Sequence, residues 1–312
     1  MNHQITIREA VTPQEIAAFW SQLRAYYVRD IFPDPADGDR PYFLSDAYRE
    51  NIQRLHDRPR DRVHYLFLCR DGQEIGIALA ALFDTEDGKC FLLEFCVFPQ
   101  ARGAGAGSAC GRAFLDWARA GGAAYTELNC DDPRRRRFWS RLGFRPNGAD
   151  EWGIPLMLRP PEVELPVTVE RLDDPEDWQL MKLENGFRTA VGEQPLTEGE
   201  KQRLRAAVAR EELTFFLARR GTRAVGMCSV SPCFSTFACK SCGVFDDFYV
   251  EPVFRGQGIA RLLVTAARSW CAGQGMASLM LGCSEGDAAM YRSLGFDMPL
   301  GRMLACALNA QD

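Results

Sequence analysis

The chain has 312 residues, 46% hydrophobic and 25% charged, with a formal net charge of −5. That length suggests about two domains, each able to bury its own core. The acidic balance argues against a broad basic surface for nucleic acid, and the apolar run Ile75 to Phe83 falls well short of the ~18 residues that a membrane span needs.

Met1 to Gln4 lacks the basic start and apolar run of an export signal. The twelve cysteines are spread over both halves, as at Cys96, Cys110 and Cys271, so buried free thiols and a cytoplasmic location are expected. Ile5 to Glu9 alternates like a first strand. Thr12-Pro13-Gln14-Glu15 reads as a cap, a proline at the first helical position and a capping-box glutamate. The helix is expected to run to about Arg29, with Ile16, Phe19, Trp20, Leu23 and Tyr27 on one face. Asp30 to Pro41 reads as a loop and Ser45 to His56 as a second helix. Val63 to Cys69, Glu74 to Phe83 and Cys90 to Val97 then form antiparallel strands, with turn chemistry at Asp71-Gly72 and Asp87-Gly88. A glycine turn, a helix Ser108 to Ala120, a strand Ala124 to Asn129 and a helix Pro133 to Leu142 follow. Residues 144 to 158 should close the sheet.

Pro160 to Pro166 is a short, stiff linker, giving an N-terminal domain over residues 1–160 and a C-terminal one over 161–312. After it the order recurs: strand Val167 to Arg171, helices Glu176 to Arg188 and Leu196 to Arg210, strands Thr214 to Ala218 and Ala224 to Val230. Cys233 to Val244 reads as irregular. A strand then runs into Asp246-Asp247-Phe248-Tyr249-Val250 and is ended by Pro252. Arg255-Gly256-Gln257-Gly258-Ile259-Ala260 follows, and Ile259, Leu263, Ala266 and Trp270 carry helical spacing. A strand Ser278 to Leu281, a helix Asp287 to Leu294 and a strand around Met303 to Leu308 end the chain.

A strand, a glycine turn and a helix start aim unpaired N–H groups and the helix dipole at one spot. That spot suits phosphate or diphosphate. One such turn is weak evidence, but it occurs twice. Arg255, Gly256, Gly258 and Trp270 lie 153 residues after Arg102, Gly103, Gly105 and Trp117, and Leu142-Gly143-Phe144 recurs as Leu294-Gly295-Phe296. Several features at one period indicate a duplicated domain.

The pattern V-x-P-x-x-R-G-x-G-x-[G/A], then a helix, a strand and a helix ending in L-G-F, resembles the GCN5-related N-acetyltransferase (GNAT) superfamily, in two copies covering nearly the whole chain. The resemblance implies two α/β domains, each a mixed, mostly antiparallel sheet flanked by helices and splayed where acetyl-CoA enters. It implies direct acetyl transfer to a small-molecule or peptide amine. The cofactor would be held by Phe248, Tyr249, Val250, Arg255, Gly256, Gln257, Gly258, Ile259 and Ala260 in the second copy. Cys96, Val97, Arg102, Gly103, Ala104, Gly105, Ala106 and Gly107 would hold it in the first. The strand N–H near Val250 or Val97 would face the acetyl oxygen.

An alkyl amine with pKa about 10 needs a base near neutral pH. Histidine is scarce, so Asp247 and Glu94, each three residues before the strand's last valine, are the candidates; either could instead be a solvated or structural carboxylate. The family places a tyrosine, as general acid, four residues before the glycine of L-G-F. Tyr291 fills that place in the second copy, whereas Trp139 fills it in the first; both also suit plain aromatic packing. Ser284 and Asp132 stand where the family often has an asparagine against pantetheine. The second copy is therefore expected to be the catalyst. The first is expected to be a degenerate cofactor-binding scaffold or a weaker second site; the alternative is a non-catalytic acyl-CoA-binding or sensing protein, at least in the N-terminal half. Arg134 to Arg137 could grip a phosphate or form a solvated face. Cys239-Lys240-Ser241-Cys242 lacks the paired motifs of a zinc site, so no metal is expected.

Overall fold

The computed structural model describes residues 4–150, 152–163 and 165–301. The chain divides into two compact units, Met1–Leu165 and Pro166–Asp312. In the first, β1 (Ile5–Glu9) leads to α1 (Pro13–Tyr26), which Thr12 and Glu15 start with a reciprocal capping box. One π-helical turn, Tyr27–Ile31, extends it. The expected loop after Asp30 contains the short α2 (Arg40–Phe43), and α3 (Asp46–His56) begins on a Ser45 cap. Strands β2 (Val63–Arg70), β3 (Gln73–Phe83) and β4 (Lys89–Val97) follow, then α4 (Ala106–Ala120), β5 (Tyr125–Asn129), α5 (Pro133–Arg141), β6 (Arg145–Ala149) and β7 (Pro155–Arg159).

The strand order is β1-β2-β3-β4-β5-β7-β6, and only β4 and β5 run parallel. Both faces are covered. Along β2, Leu66 and Leu68 pack with Phe114 and Trp139 on one face, while Tyr65 and Phe67 pack with Phe19, Trp20 and Tyr27 on the other. That explains why β2 is buried nearly end to end.

The second unit repeats the plan with β8 (Val167–Arg171), α6 (Trp178–Ala190), α7 (Glu198–Ala209), β9 (Thr214–Arg220), β10 (Arg223–Ser235), β11 (Lys240–Val250), α8 (Ile259–Gly273), β12 (Leu279–Met280) and α9 (Ala288–Ser293). Its described strands order as β12-β11-β10-β9-β8, with β11 and β12 parallel. The expected final strand, Met303 to Leu308, lies outside the described residues. Among the described residues no helix is long and apolar enough to cross a membrane. Expectation and structure thus agree on two α/β units, each with a mixed sheet flanked by helices.

Two expectations are corrected. Cys233 to Val244 is not irregular: β10 and β11 continue as a hairpin pairing Cys233 with Cys242 and Ser235 with Lys240. Pro232 is tolerated there because its partner Gly243 turns its own N–H to Ser278 O on the opposite side. The buried stripe of α8 is Ile259, Leu263, Val264, Ala267 and Cys271, whereas Trp270 sits half-buried against Phe216.

A buried ion cluster fixes the end of β11. Arg223 Nε and Nη2 donate to Glu251 Oε2 and Oε1 at 2.9 and 2.7 Å, and Lys182 Nζ lies 3.1 Å from Oε1. Removing the acid strands buried cations. Glu251→Ala should therefore cost about 3–5 kcal/mol in urea unfolding; a loss below ~1 kcal/mol would show the cluster to be solvated.

Candidate functional site

Each parallel strand pair separates after a short contact. β4 pairs with β5 only at Lys89–Tyr125, Cys90–Thr126 and Phe91–Glu127, yet continues to Val97. β11 pairs with β12 only at Gly243–Leu279 and Val244–Met280, yet continues to Val250. A bulge accompanies each separation, where the register slips at Leu79/Ala80 against β4 and at Met227/Ser229 against β11. Bulges bend and twist a strand, and Asp247, inside the second one, has φ +48°.

Alternation along the strand then decides which groups face the gap. Phe98 N–H donates to Ile75 O, so it points at β3; Glu251 N–H donates to Val225 O, so it points at β10. The preceding residues, Val97 and Val250, must turn N–H and C=O the other way, into the splay. The carbonyls bear this out: Arg102 Nε donates to Val97 O at 2.8 Å and Arg255 Nε to Val250 O at 2.9 Å.

The turns beyond have matching backbones. Gly105 (φ +78°) and Gly258 (φ +82°) are left-handed N-caps of α4 and α8, and neither helix has a side-chain cap. Such a φ strains any residue with a Cβ. A Cβ at either glycine would meet no protein atom within 4 Å, so the space beside each cap is open. Ala104 (φ +45°) and Gly103 (φ +94°), with Gly256 (φ +75°) in the other copy, complete the bends. The residues fit a diphosphate. Ala106 N–H is spent on Gly103 O, whereas Gly107 packs near Phe138. Gln257 Nε2 turns back to Val253 O. Ile259 is core, and Ala260 is half-buried beside it.

The two arginines differ beyond the backbone bond. Arg102 Nη2 reaches Asp30 at 2.6 Å, Arg29 holds the same oxygen, and Arg135 Nη2 donates to Asp30 O. Against the cost of its burial, Arg29 and Arg102 keep the Asp30 carboxyl below its usual range. Arg255 instead lies 5.7 Å over the Tyr249 ring. Ser284 is spent on a local turn, exchanging hydrogen bonds with Asp287. Asp132 caps α5 through the Arg134 and Arg135 N–H groups, and Arg136 bonds Cys130 O and Asp131 O.

The aromatic positions are equivalent in space as well as in sequence. Trp139 packs against Phe95 and Phe144 at 5.2 Å each; Tyr291 packs against Phe248 and Phe296 at 6.0 Å each. Trp139 is buried, whereas Tyr291 is half-buried. Burial first, then the charges of Asp287, Cys283 and Asp246, push the Tyr291 hydroxyl up to about 12.

The carboxylates sit at the bulges. Burial pushes Glu94 up to about 7, against a hydrogen bond from Tyr27 Oη at 3.0 Å and the charge of Arg135. Tyr27 Oη also lies 2.9 Å from Tyr48 Oη. Burial likewise raises Asp247, although Ser229 Oγ donates to its Oδ2 at 2.7 Å; neighbouring Asp246 raises it further. Glu184 on α6 was not among the expected residues. It is buried, its Oε1 has no hydrogen-bond partner, and burial, Asp247 and Asp246 push it to about 8 while Arg188 opposes them. Gly186 lets α6 approach this closely, since a Cβ there would stand 2.9–3.1 Å from the Tyr249 ring and hydroxyl. In the second copy Asp246 thus lies within electrostatic reach of Tyr291, Asp247 and Glu184, and Glu184 within reach of Asp247. The signal was a glutamate on the buried stripe Leu180, Leu183, Phe187 of α6.

A family model described as the acetyltransferase (GNAT) family matches residues 21–144 and again 178–296. No curated protein matches the chain. Among solved structures, a Trypanosoma brucei acetyltransferase is 20% identical with a TM-score of 0.39, over 46% of this chain and all of its own. An acetyltransferase from Clostridium acetobutylicum, solved with acetyl-CoA, is 17% identical with a TM-score of 0.40, over 45% of this chain and 96% of its own. An aminoglycoside acetyltransferase from an uncultured soil metagenome is 20% identical with a TM-score of 0.38, over 46% and 93%.

The raised Glu184 carboxyl has a consequence for stability. The folded state holds this proton more tightly than the unfolded chain, so its contribution is full below pH ~4.5 and is lost as pH rises through about 8. Glu184→Gln should raise Tm, with a larger gain at pH 9 than at pH 5. Calorimetric melting at the two pH values checks this, and an equal gain at both would mean the carboxyl is not raised.

Proposed function

The chain belongs to the GNAT acetyltransferase family, matched in both halves, and from that premise we propose an acetyl-CoA-dependent N-acetyltransferase whose second half carries out direct transfer to an amine. The observation that carries this reading is the conjunction at β11: an N–H turned into the splay at Val250, an uncapped glycine-led helix beyond it, and a carboxylate and a phenol on its flanks. When bound, acetyl-CoA supplies an activated acetyl thioester. The first-turn N–H groups of α8, with Gly256 and Gly258, hold its diphosphate. Arg255 serves mainly to tie the turn to Val250 O. The Val250 N–H stabilises negative charge on an acyl oxygen, a role worth ~2.7–4 kcal/mol where such donors have been removed. Asp247 takes the proton of the attacking ammonium, its raised carboxyl making it a stronger base than an ordinary aspartate. Tyr291 remains protonated at neutral pH and donates to a departing thiolate. The acceptor is a small-molecule or peptide amine, and the protein acts in the cytoplasm.

The first copy has the same turn and the same exposed amide but a different mouth. Its indole is packed in the core where the phenol would be, and its arginine is neutralised by Asp30. These observations favour a copy that binds acyl-CoA without efficient transfer. Glu94, raised to about 7 and linked to Tyr27, is the group through which it would act as a second centre.

Tyr291→Phe should lower kcat about 10²-fold with acetyl-CoA affinity nearly unchanged, measured by thiol release with a panel of amines and by calorimetry. Full activity in Tyr291→Phe, together with loss in Glu94→Gln, would move the catalytic centre to the first half. Gly258→Ala should weaken acetyl-CoA binding about tenfold through the left-handed φ it must hold. Calorimetry on the full chain should find two binding events, one of which weakens by that factor in this variant; unchanged affinity would remove the turn from the site.

A further inference from the structure

Three carboxylates surround the β11 bulge, and one proton acceptor does not need three. Asp247 has its own donor in Ser229. Asp246 is exposed, and its Oδ1 accepts the Asp247 N–H at 3.0 Å. Glu184 comes from α6, the element that Gly186 packs against the same strand. The residue is buried, with 5% of its surface exposed, and its Oε1 lacks a donor. A buried polar atom left unsatisfied is costly, and a native site that tolerates one calls for an explanation. Arg188, the α6 cation whose charge acts on Glu184, directs its Nε to Gln194 O at 2.6 Å. The first copy differs: at its bulge Glu94 already accepts from Tyr27, and Arg135 lies nearby.

We propose that the acceptor of the second half is a di- or polycationic amine, one nitrogen being acetylated at Asp247 while a second ammonium is held by Glu184 and Asp246. This rests on the acetyltransferase reading above and specifies its substrate class. An ammonium supplies the donors that Glu184 Oε1 lacks, and a compact cation with three N–H donors can serve two carboxylates at once. Asp246, exposed at the rim, attracts the same charge from solvent. A monoamine would satisfy Asp247 and leave Glu184 unpaired, so the site discriminates by the unsatisfied group rather than by added surface.

The test compares 1,4-diaminobutane and spermidine with butylamine on the full chain. Titration calorimetry should give the diamine at least about tenfold tighter binding than the monoamine, the worth of one charge-assisted hydrogen bond. In Glu184→Gln that ratio should fall towards one, and in Asp246→Asn it should fall partway; the second substitution is at an exposed site, which guards against a folding defect. The kcat/KM ratios with acetyl-CoA should follow the same order. Equal binding of diamine and monoamine, or a ratio unmoved in both variants, would overturn the proposal while leaving an amine acetyltransferase intact. Selective diamine binding without acetylation of any amine would do the reverse, keeping the dicationic pocket and removing the catalytic reading.

Discussion

The structure depends on a parallel strand pair that is allowed to come apart. A strand in a sheet normally spends its N–H and C=O groups on both neighbours. Here β4 and β11 lose one neighbour after two or three residues, and the unspent groups beyond are available for something else. Val97 and Val250 sit at that point because the bonds of Phe98 and Glu251 to the other neighbour fix the alternation. A one-residue slip would turn those amides into the sheet and the next ones out. The bulges set that phase, and the arginine of each turn locks the strand end by taking the carbonyl that shares the amide's side.

The duplication separates what the backbone does from what side chains do. Both copies keep left-handed glycine caps, an open helix start and the arginine-to-carbonyl bond, because these are consequences of main-chain geometry that a β-carbon would spoil. The side chains around them diverge. An indole replaces a phenol within the same ring cluster, a lone glutamate with tyrosine partners replaces a three-carboxylate group, and Asp30 neutralises one arginine but not the other. The main-chain geometry that suits an anion is therefore common to both halves, while the side chains beside it differ.

Much of this was legible in the residues. The capping box at Thr12 and Glu15, the turn signals at Asp71-Gly72 and Asp87-Gly88, and the doubled glycine turns each act locally, so local sequence reports them. The hairpin through Cys233 and Cys242 did not show, because Pro232 reads as a breaker until the partner strand reveals that its missing N–H is not needed. The buried face of α8 was misjudged by one position because Trp270 looks like core but leans on Phe216 at the margin. Glu184 was missed for a different reason. A glutamate on a helix is ordinarily a solvated residue, and only the packing of Gly186 on Tyr249 brings it under cover.

That last case connects stability to function. A carboxylate pushed up to about 8 by burial weakens the fold wherever it must ionise, and glutamine would relieve the strain without changing the shape. Natural cores seldom keep such a group without use. The neighbouring ion cluster shows the ordinary solution: Glu251, equally buried, is matched by Arg223 and Lys182. Glu184 lies on the same helix as Lys182, two residues further on, yet the charges that act on it are those of Asp247, Arg188 and Asp246. One acid is paired within the protein and serves architecture. The other keeps an acceptor open beside Asp247, the proposed base, and in the proposed reaction the missing positive charge is one that arrives with the substrate.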